Sequence, residues 1–360
     1  MIPALLSRSR KRTAFIVIHG IGEQLPFETL DAFTASFIRP FGEVKLAHAI
    51  TTRSGASGNA WQENFIQVER TNGYPIDIHE FYWAYMTEEK ITIPETVKWV
   101  EQTLAATKKY YKENKELQTK YEARRGTKRF PLARVLLLLR FAAFMLPFVK
   151  LFGVLFSPIS KLPFFTWITK LFRAAINKFG WIVTGYLGDV AIYTTTDEKS
   201  KYYRIRQQIL NESQTLVEAV LDDDAYDRVI IAGHSLGSVI AYDTLDRINI
   251  KANLPEGKKL PIQKLAGLIT FGSPLDKIAF FFRERTRPGE YIRRKILAHL
   301  HSFKAKPLSP DEGGQKVSDP IKPKLEKMPW VNYYANNDPV SGHLDFYNIF
   351  EQDNMSLSQK

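Results

Sequence analysis

Ser235 sits inside Gly233-His234-Ser235-Leu236-Gly237, a serine with a glycine two residues to either side. A serine hydroxyl is a weak nucleophile until a base takes its proton and an acid orients that base. Downstream of Ser235 the histidines are His299, His301 and His343. Asp276 and Asp338 each follow an apolar, strand-like run. A serine, an acid and a histidine in that chain order would perform acyl transfer through a covalent serine ester. Asp338 is the favoured acid, because it stands in the turn-forming run Asn336-Asn337-Asp338-Pro339 just past a strand. Asp276 is the alternative. His343 is the favoured base, since it lies beyond the same strand end, on the side where Ser235 belongs. His299 and His301 fall in ILAHLHSF, a helix or strand leading into a long loop.

These residues need elements to hold them. Val229-Ile230-Ile231-Ala232 is a short apolar run that predicts a buried parallel strand. Ser238 to Tyr242 has helical composition. Strand, G-x-S-x-G, helix is the nucleophile-elbow arrangement, in which a strained turn lifts the serine above the sheet edge. Gly233 and Gly237 are required because side chains there would clash in so tight a turn. The pentapeptide alone carries little weight; the strand and helix around it carry the reading. The helix would aim its N-terminal N–H groups at a developing oxyanion. A second apolar strand, Thr13 to Ile18, ends in His19-Gly20-Ile21-Gly22. A sharp turn there would bring a second N–H, so Leu236 and Ile21 are the expected oxyanion donors. His19 is read as structural in that turn.

Further strands are predicted at Glu43–Thr51, Asn64–Arg70, Ile76–Ala84, Leu265–Phe271 and Trp330–Ala335. Helical patterns cover Leu25–Phe41, Thr96–Arg125 and Lys199–Leu221. His79 and Glu80 could pass for a ligand pair, but successive strand residues face opposite ways. They are read as structural. The fold class expected is α/β, a mostly parallel sheet flanked by helices, with a large basic and apolar helical insertion. The domain division expected is a core at 13–95 and 186–360 interrupted by an insertion at 96–185.

Composition limits the chemistry. The 360 residues include no cysteine, which excludes disulfides, thiolate metal sites and a cysteine nucleophile. No metal site and no cofactor is expected. The formal net charge is +12. Between Glu122 and Asp189 there are eleven basic residues and no acidic one, so 12 − 11 leaves +1 for the rest. Within that interval, PLARVLLLLRFAAFMLPFVKLFGVLFSPISKLPFFTWITKLFRAAINKFG is rich in leucine and phenylalanine. Pro147, Pro158 and Pro163 divide it, and no uninterrupted apolar run reaches the ~18 residues of a spanning helix. Arg140 and Lys150 would cost roughly 2.5–3.5 kcal/mol each near a bilayer centre. Apolar faces with cationic rims describe segments lying in a membrane interface. Residues 123–188 are therefore expected to contact an anionic lipid surface. A helical cap and a re-entrant hairpin are the other readings. The aromatics sit within apolar runs and no nucleic-acid motif occurs, so nucleic acid is not an expected partner. The basic lead Met1–Arg12 lacks the apolar core of a signal peptide. The expected location is cytoplasmic, peripheral to the inner face of the membrane. Oligomeric state is left open.

HGIGEQ, HEFYWA, GDVAIY, GHSLGSVIAYDTL, TFGSPLDKIAFF and WVNYYANNDPVSGHLDFY together resemble the α/β-hydrolase superfamily, in particular bacterial serine hydrolases related to lipases and esterases. The likeness covers about residues 13–90 and 186–350. It implies hydrolysis of a carboxylic ester, with a lipid or phospholipid acyl ester as the expected substrate. The spacing of Asp338 and His343 is short for such proteins. Two other classes remain: a degenerate hydrolase fold serving as a membrane-associated interaction module, and a soluble esterase or thioesterase whose insertion is a lid.

Overall fold

The computed structural model describes residues 12–21, 24–54, 60–70, 73–87, 188–193, 199–254 and 260–276, with 290, 292, 303, 321–335, 338, 341–344, 347, 349 and 353–356. Two compact units divide the chain: residues 1–86 with 204–360, and residues 87–203. Of the second unit, the described part includes a short helix, Gly188–Tyr193, in which Ile192 and Tyr193 are fully buried. His299, His301 and most of the basic insertion, together with the helix expected at Thr96–Arg125, lie outside the described residues.

The first unit is built on one eight-stranded sheet. In chain order its strands are β1 (Arg12–Ile18), β2 (Val44–Ser54), β3 (Ala60–Arg70), β4 (Ile76–Phe81), β5 (Tyr226–His234), β6 (Leu265–Phe271), β7 (Trp330–Tyr334) and β8 (Asn354–Ser356). In space they run β2-β3-β4-β1-β5-β6-β7-β8. Every pairing from β4 through β8 is parallel, and β3 runs antiparallel to β2 and β4. The sequence periodicity explains this division. β1 and most of β5 are apolar on both faces, as central parallel strands covered on both sides must be. β2 and β3 mix polar and apolar residues, as a half-covered antiparallel hairpin does.

Two long helices, α1 (Glu28–Ile38) and α3 (Leu236–Asn253), pack on the sheet, and a third, α2 (Lys201–Asp222), is bonded to α3. Leu30 of α1 joins Phe15, Val17, Val68, Ile76 and Ile78 in a buried cluster, with Phe33 and Phe37 packed against it. The start of α1 lacks a side-chain cap of its own. Glu80 supplies one from the sheet, its carboxylate accepting the N–H groups of Phe27 (2.7 Å) and Leu30 (3.2 Å). Burial pushes the Glu80 carboxyl up, and those N–H donors pull it back. His79 points to the other face, where Nδ1 meets Glu63 (2.9 Å) and Nε2 meets the Tyr226 hydroxyl (3.2 Å). The strand reading of that pair is what the structure shows.

Residues 236–246 of α3 are buried throughout, so this helix lies inside the core, and its buried polar side chains, Ser238, Asp243, Thr244 and Asp246, need partners there. Its outer side is tied to α2 by Thr244 to Ser213 (2.9 Å), Arg206 to Asp243 (3.0 Å) and Lys251 to Glu218 (2.7 Å).

Candidate active site

The carboxyl ends of four adjacent parallel strands, β1, β5, β6 and β7, open onto one edge of the sheet. His19, Ser235, Gly272 and Ala335 are the first residues past these ends. Ligands in open α/β sheets bind outside this edge.

Ser235 joins β5 directly to α3, with φ +49° and ψ −124°. A non-glycine residue held there is strained, and strain of this kind persists only where surrounding structure enforces it. The enforcing contacts are visible. The Ser235 N–H donates to the Phe271 carbonyl at 3.0 Å, and its carbonyl accepts from the Ser238 N–H at 3.0 Å. Ser238 Oγ lies 2.5 Å from the same carbonyl and 2.7 Å from Ser273 Oγ. A carbonyl can only accept and a hydroxyl has one hydrogen. So Ser238 donates to Ser235, and Ser273 donates to Ser238. This relay ties the turn after β5 to the turn after β6.

The two glycines are required by close approach. A Cβ on Gly233 would lie 2.5 Å from Ser238 Cα. One on Gly237 would lie 2.3 Å from the carbonyl oxygens of both Ile18 and His19. The first turn of α3 therefore rests directly on the end of β1. A Cβ built on Gly20 would come within 2.9 Å of Ser235 Cβ, so the turn after β1 abuts the serine itself. Leu236 begins α3 and is fully buried, and Ile21 is half-buried just beyond Gly20.

His19 braces that turn. It is 1% exposed, and its ring stacks on Trp83 at 4.9 Å. The Trp83 N–H donates to His19 Nε2 at 2.9 Å. Nε2 is thus unprotonated, and Nδ1–H donates to the Gly20 carbonyl at 2.7 Å. The indole N–H of Trp83 donates back to the His19 carbonyl at 3.0 Å. Burial lowers the His19 pKa to about 4, and the ring is neutral at pH 7.

The two expected acids follow neighbouring strands. Asp276 is half-buried at the start of a helical segment that follows the turn after β6. Asp338 is half-buried after β7, its N–H bonded to the Ala335 carbonyl at 3.1 Å. Asp338 acts electrostatically on His234: the ring is solvent-exposed, partial desolvation among its neighbours lowers its pKa, and the Asp338 carboxylate raises it. The His234 ring stacks on Phe271 at 5.4 Å and lies against Gly272, which has φ +62°. His343 is half-buried, with its ring edge-on to Tyr334 at 6.0 Å, beside the end of β7.

Three polar residues that the motifs did not single out hold these loops. Asn332 in β7 donates from Nδ2 to the Gly342 carbonyl (3.1 Å) and to Asn354 Oδ1 (3.0 Å). Asn354 Oδ1 also accepts the Leu344 N–H at 3.2 Å. The residues on both sides of His343 are thereby pinned to β7 and β8. Ser273 plays the corresponding part for Ser235. A buried asparagine within an otherwise apolar strand was the available signal, since a polar group there must find partners.

The site is therefore that of an α/β protein with a strained serine at a strand-to-helix turn. Among known proteins, the chain is similar to the chloroplastic phospholipase A1-Igamma2 of Arabidopsis thaliana, 29% identical over 166 residues. That similarity covers 43% of this chain and 29% of the plant protein, so the chain matches under a third of that relative's length. No family model and no solved structure matches the chain. Among the described residues no group of histidine and acidic side chains could hold a metal ion, and no helix is long and apolar enough to cross a membrane.

Proposed function

We propose that this protein is a serine hydrolase of the α/β-hydrolase type, cleaving lipid or phospholipid acyl esters at a membrane surface. The observation that carries the reading is Ser235 itself. It is held at positive φ between β5 and α3, with the turn after β1 packed against it. Such strain at one serine has a use where the hydroxyl must stand clear of the sheet and face two N–H groups. The similarity to a plant phospholipase A1 supports the lipid ester as substrate class.

In this mechanism Ser235 Oγ attacks the ester carbonyl carbon while His343 accepts the serine proton. Asp338 orients the imidazole and stabilises its charged form. The tetrahedral oxyanion accepts hydrogen bonds from the N–H groups of Leu236 and Ile21. Collapse breaks the ester bond, and the alcohol leaves with the proton from His343. Water, deprotonated by the same imidazole, then attacks the acyl-serine and releases the fatty acid. The neutral His19 adds no positive charge to compete beside the site. The basic, apolar residues 123–188 would hold the protein on anionic lipid, with the protein peripheral to the inner face of the membrane.

The test is a fluorophosphonate label, with turnover of a p-nitrophenyl ester series and a phospholipid panel. Ser235→Ala is expected to abolish labelling and lower turnover by several orders of magnitude, with the circular dichroism spectrum of wild type. Full turnover in a folded Ser235→Ala protein would refute the enzymatic reading. An unlabelled, inactive wild type would favour an interaction module.

A further inference from the structure

The far edge of the sheet from the serine carries a second feature. β2 is eleven residues long, and among the described residues β3 is its one neighbour. It pairs with β3 through all eleven positions without a register shift. An outer strand normally carries protection: shortness, a bulge, proline, or several charges. β2 has no proline, no bulge, and Lys45 as the one charged residue among its exposed positions. Its outward row of N–H and C=O groups is a template for another strand.

The side chains say which strand. Val44, Leu46, His48, Ile50 and Thr52 share one face of β2. This face continues the layer that α1 covers over β4, β1 and β3, where Val44 and Ile66 already pack against the buried cluster. Beyond α1 it runs on uncovered: Leu46 is 50% and Ile50 61% exposed.

A second copy fits this edge in one register. Residues opposite one another in an antiparallel pair exchange both backbone hydrogen bonds or neither. Opposing residues must therefore both present, or both withhold, their groups at the free edge. Two identical strands meet this only when the two-fold axis passes through a residue. With the axis at His48, Leu46 faces Ile50, Val44 faces Thr52, Lys45 faces Thr51 and Ala47 faces Ala49 of the other copy. Nine residues pair: Leu46 with Ile50 and Ala47 with Ala49 are apolar contacts, Lys45 meets a neutral threonine, and His48 meets its own copy at the axis. With the axis at Ala49, Lys45 would face Arg53. With it at Ala47 the overlap shortens and Leu46 faces His48. With it at Ile50 nine residues also pair, but Leu46 faces Ser54 and Ala47 faces Arg53, so the axis at His48 matches apolar residues best. Such cross-strand pairs are the units that stabilise a sheet.

We propose that β2 is the interface of a two-fold homodimer, in which the β2 strands of two copies pair antiparallel about His48 and join the two sheets into one. The contact is isologous and closes on itself, so it yields a dimer and not a fibre.

Sedimentation velocity on the full chain at micromolar concentration is expected to give twice the 41.4 kDa chain mass. The double variant Leu46→Glu/Ile50→Glu opposes like charges and is expected to give the chain mass, with wild-type circular dichroism because both positions are exposed. Leu46→Lys/Ile50→Glu opposes unlike charges in this register and is expected to restore the dimer. The chain has no cysteine of its own. Mild oxidation should therefore cross-link His48→Cys, at the axis, to a covalent dimer. Ile50→Cys should stay uncross-linked, because its two copies lie four positions apart along the pair. A wild type at the chain mass, or a dimer that survives the double glutamate variant, would overturn the interface. Cross-linking through position 50 in preference to 48 would overturn the register.

Discussion

Acidification should loosen the turn that carries Ile21, and the size of the effect follows from His19. Both ring nitrogens are committed, Nε2 as the acceptor of the Trp83 N–H and Nδ1 as donor to the Gly20 carbonyl. A second proton on Nε2 would set donor against donor inside a nearly sealed site. Burial accordingly lowers the pKa from 6.5 to about 4. Between these values the unfolded chain binds a proton that the folded chain does not. The contribution of His19 to stability is then complete above pH 6.5 and is lost as pH falls toward 4. At about 1.36 kcal/mol per unit, the gap amounts to roughly 3 kcal/mol at its limit, of which about 2 kcal/mol is lost between about pH 7.5 and 5. His19→Gln keeps an acceptor for the Trp83 N–H and removes the titration. Urea unfolding followed by tryptophan fluorescence across that pH range, on both proteins, isolates the term, because every other titrating group is common to them. Wild type should lose about 2 kcal/mol more than His19→Gln on going to the acid end. Parallel losses in the two proteins would refute the buried, neutral assignment of His19.

Gly237→Ala would place a methyl 2.3 Å from the Ile18 and His19 carbonyl oxygens, both of them backbone atoms. Overpacking of this kind costs ~1–3 kcal/mol, and separating the two turns by even ~1 Å should cost ~100-fold in kcat/KM, measured on a short soluble ester beside a thermal melt. Alanine at Asp338 or at His343 should each cost nearly as much rate as losing Ser235, and the double variant should be no worse than the poorer single. Asp276→Ala is expected to stay near wild-type rate, and the reverse pattern would move the acid to Asp276. Replacing Arg134, Arg140, Lys150, Lys161 and Lys170 by glutamine should reduce flotation with anionic vesicles and long-chain lipid turnover, while sparing a soluble ester. Added salt should weaken the wild-type binding through screening.

The elements nearest the serine were legible because their signals are local. An apolar run into G-x-S-x-G with helical composition after it specifies strand, turn and helix with no help from distant residues. β5 and α3 lie where that pattern puts them. Alternation separated His79 from Glu80, since a strand of period two leaves no other choice. Local signals failed at boundaries. Ile76–Ala84 reads as one strand, but β4 ends at Phe81, and Ala84–Thr87 turns into a helix. There the Trp83 N–H bonds to His19 and leaves the ladder. The three residues of β8 are too few to show a period at all.

The partners of each group were decided only by the tertiary structure. The sequence by itself determined that a serine between glycines would sit at a strand end, that basic charge would gather in residues 123–188, and that no thiol chemistry was open to the chain. It could not determine the order β2-β3-β4-β1-β5-β6-β7-β8, because strand order is set by which apolar faces meet across long loops. Nor could it show that the Asp338 carboxylate would act on His234, or that Asn332 and Asn354 would pin the residues beside His343. A pKa, a tautomer and a hydrogen-bond relay are properties of neighbours in space. Those neighbours come from strands and loops that can be more than two hundred residues apart in the chain, as His19 and Gly237 are, and only the packed sheet brings them together.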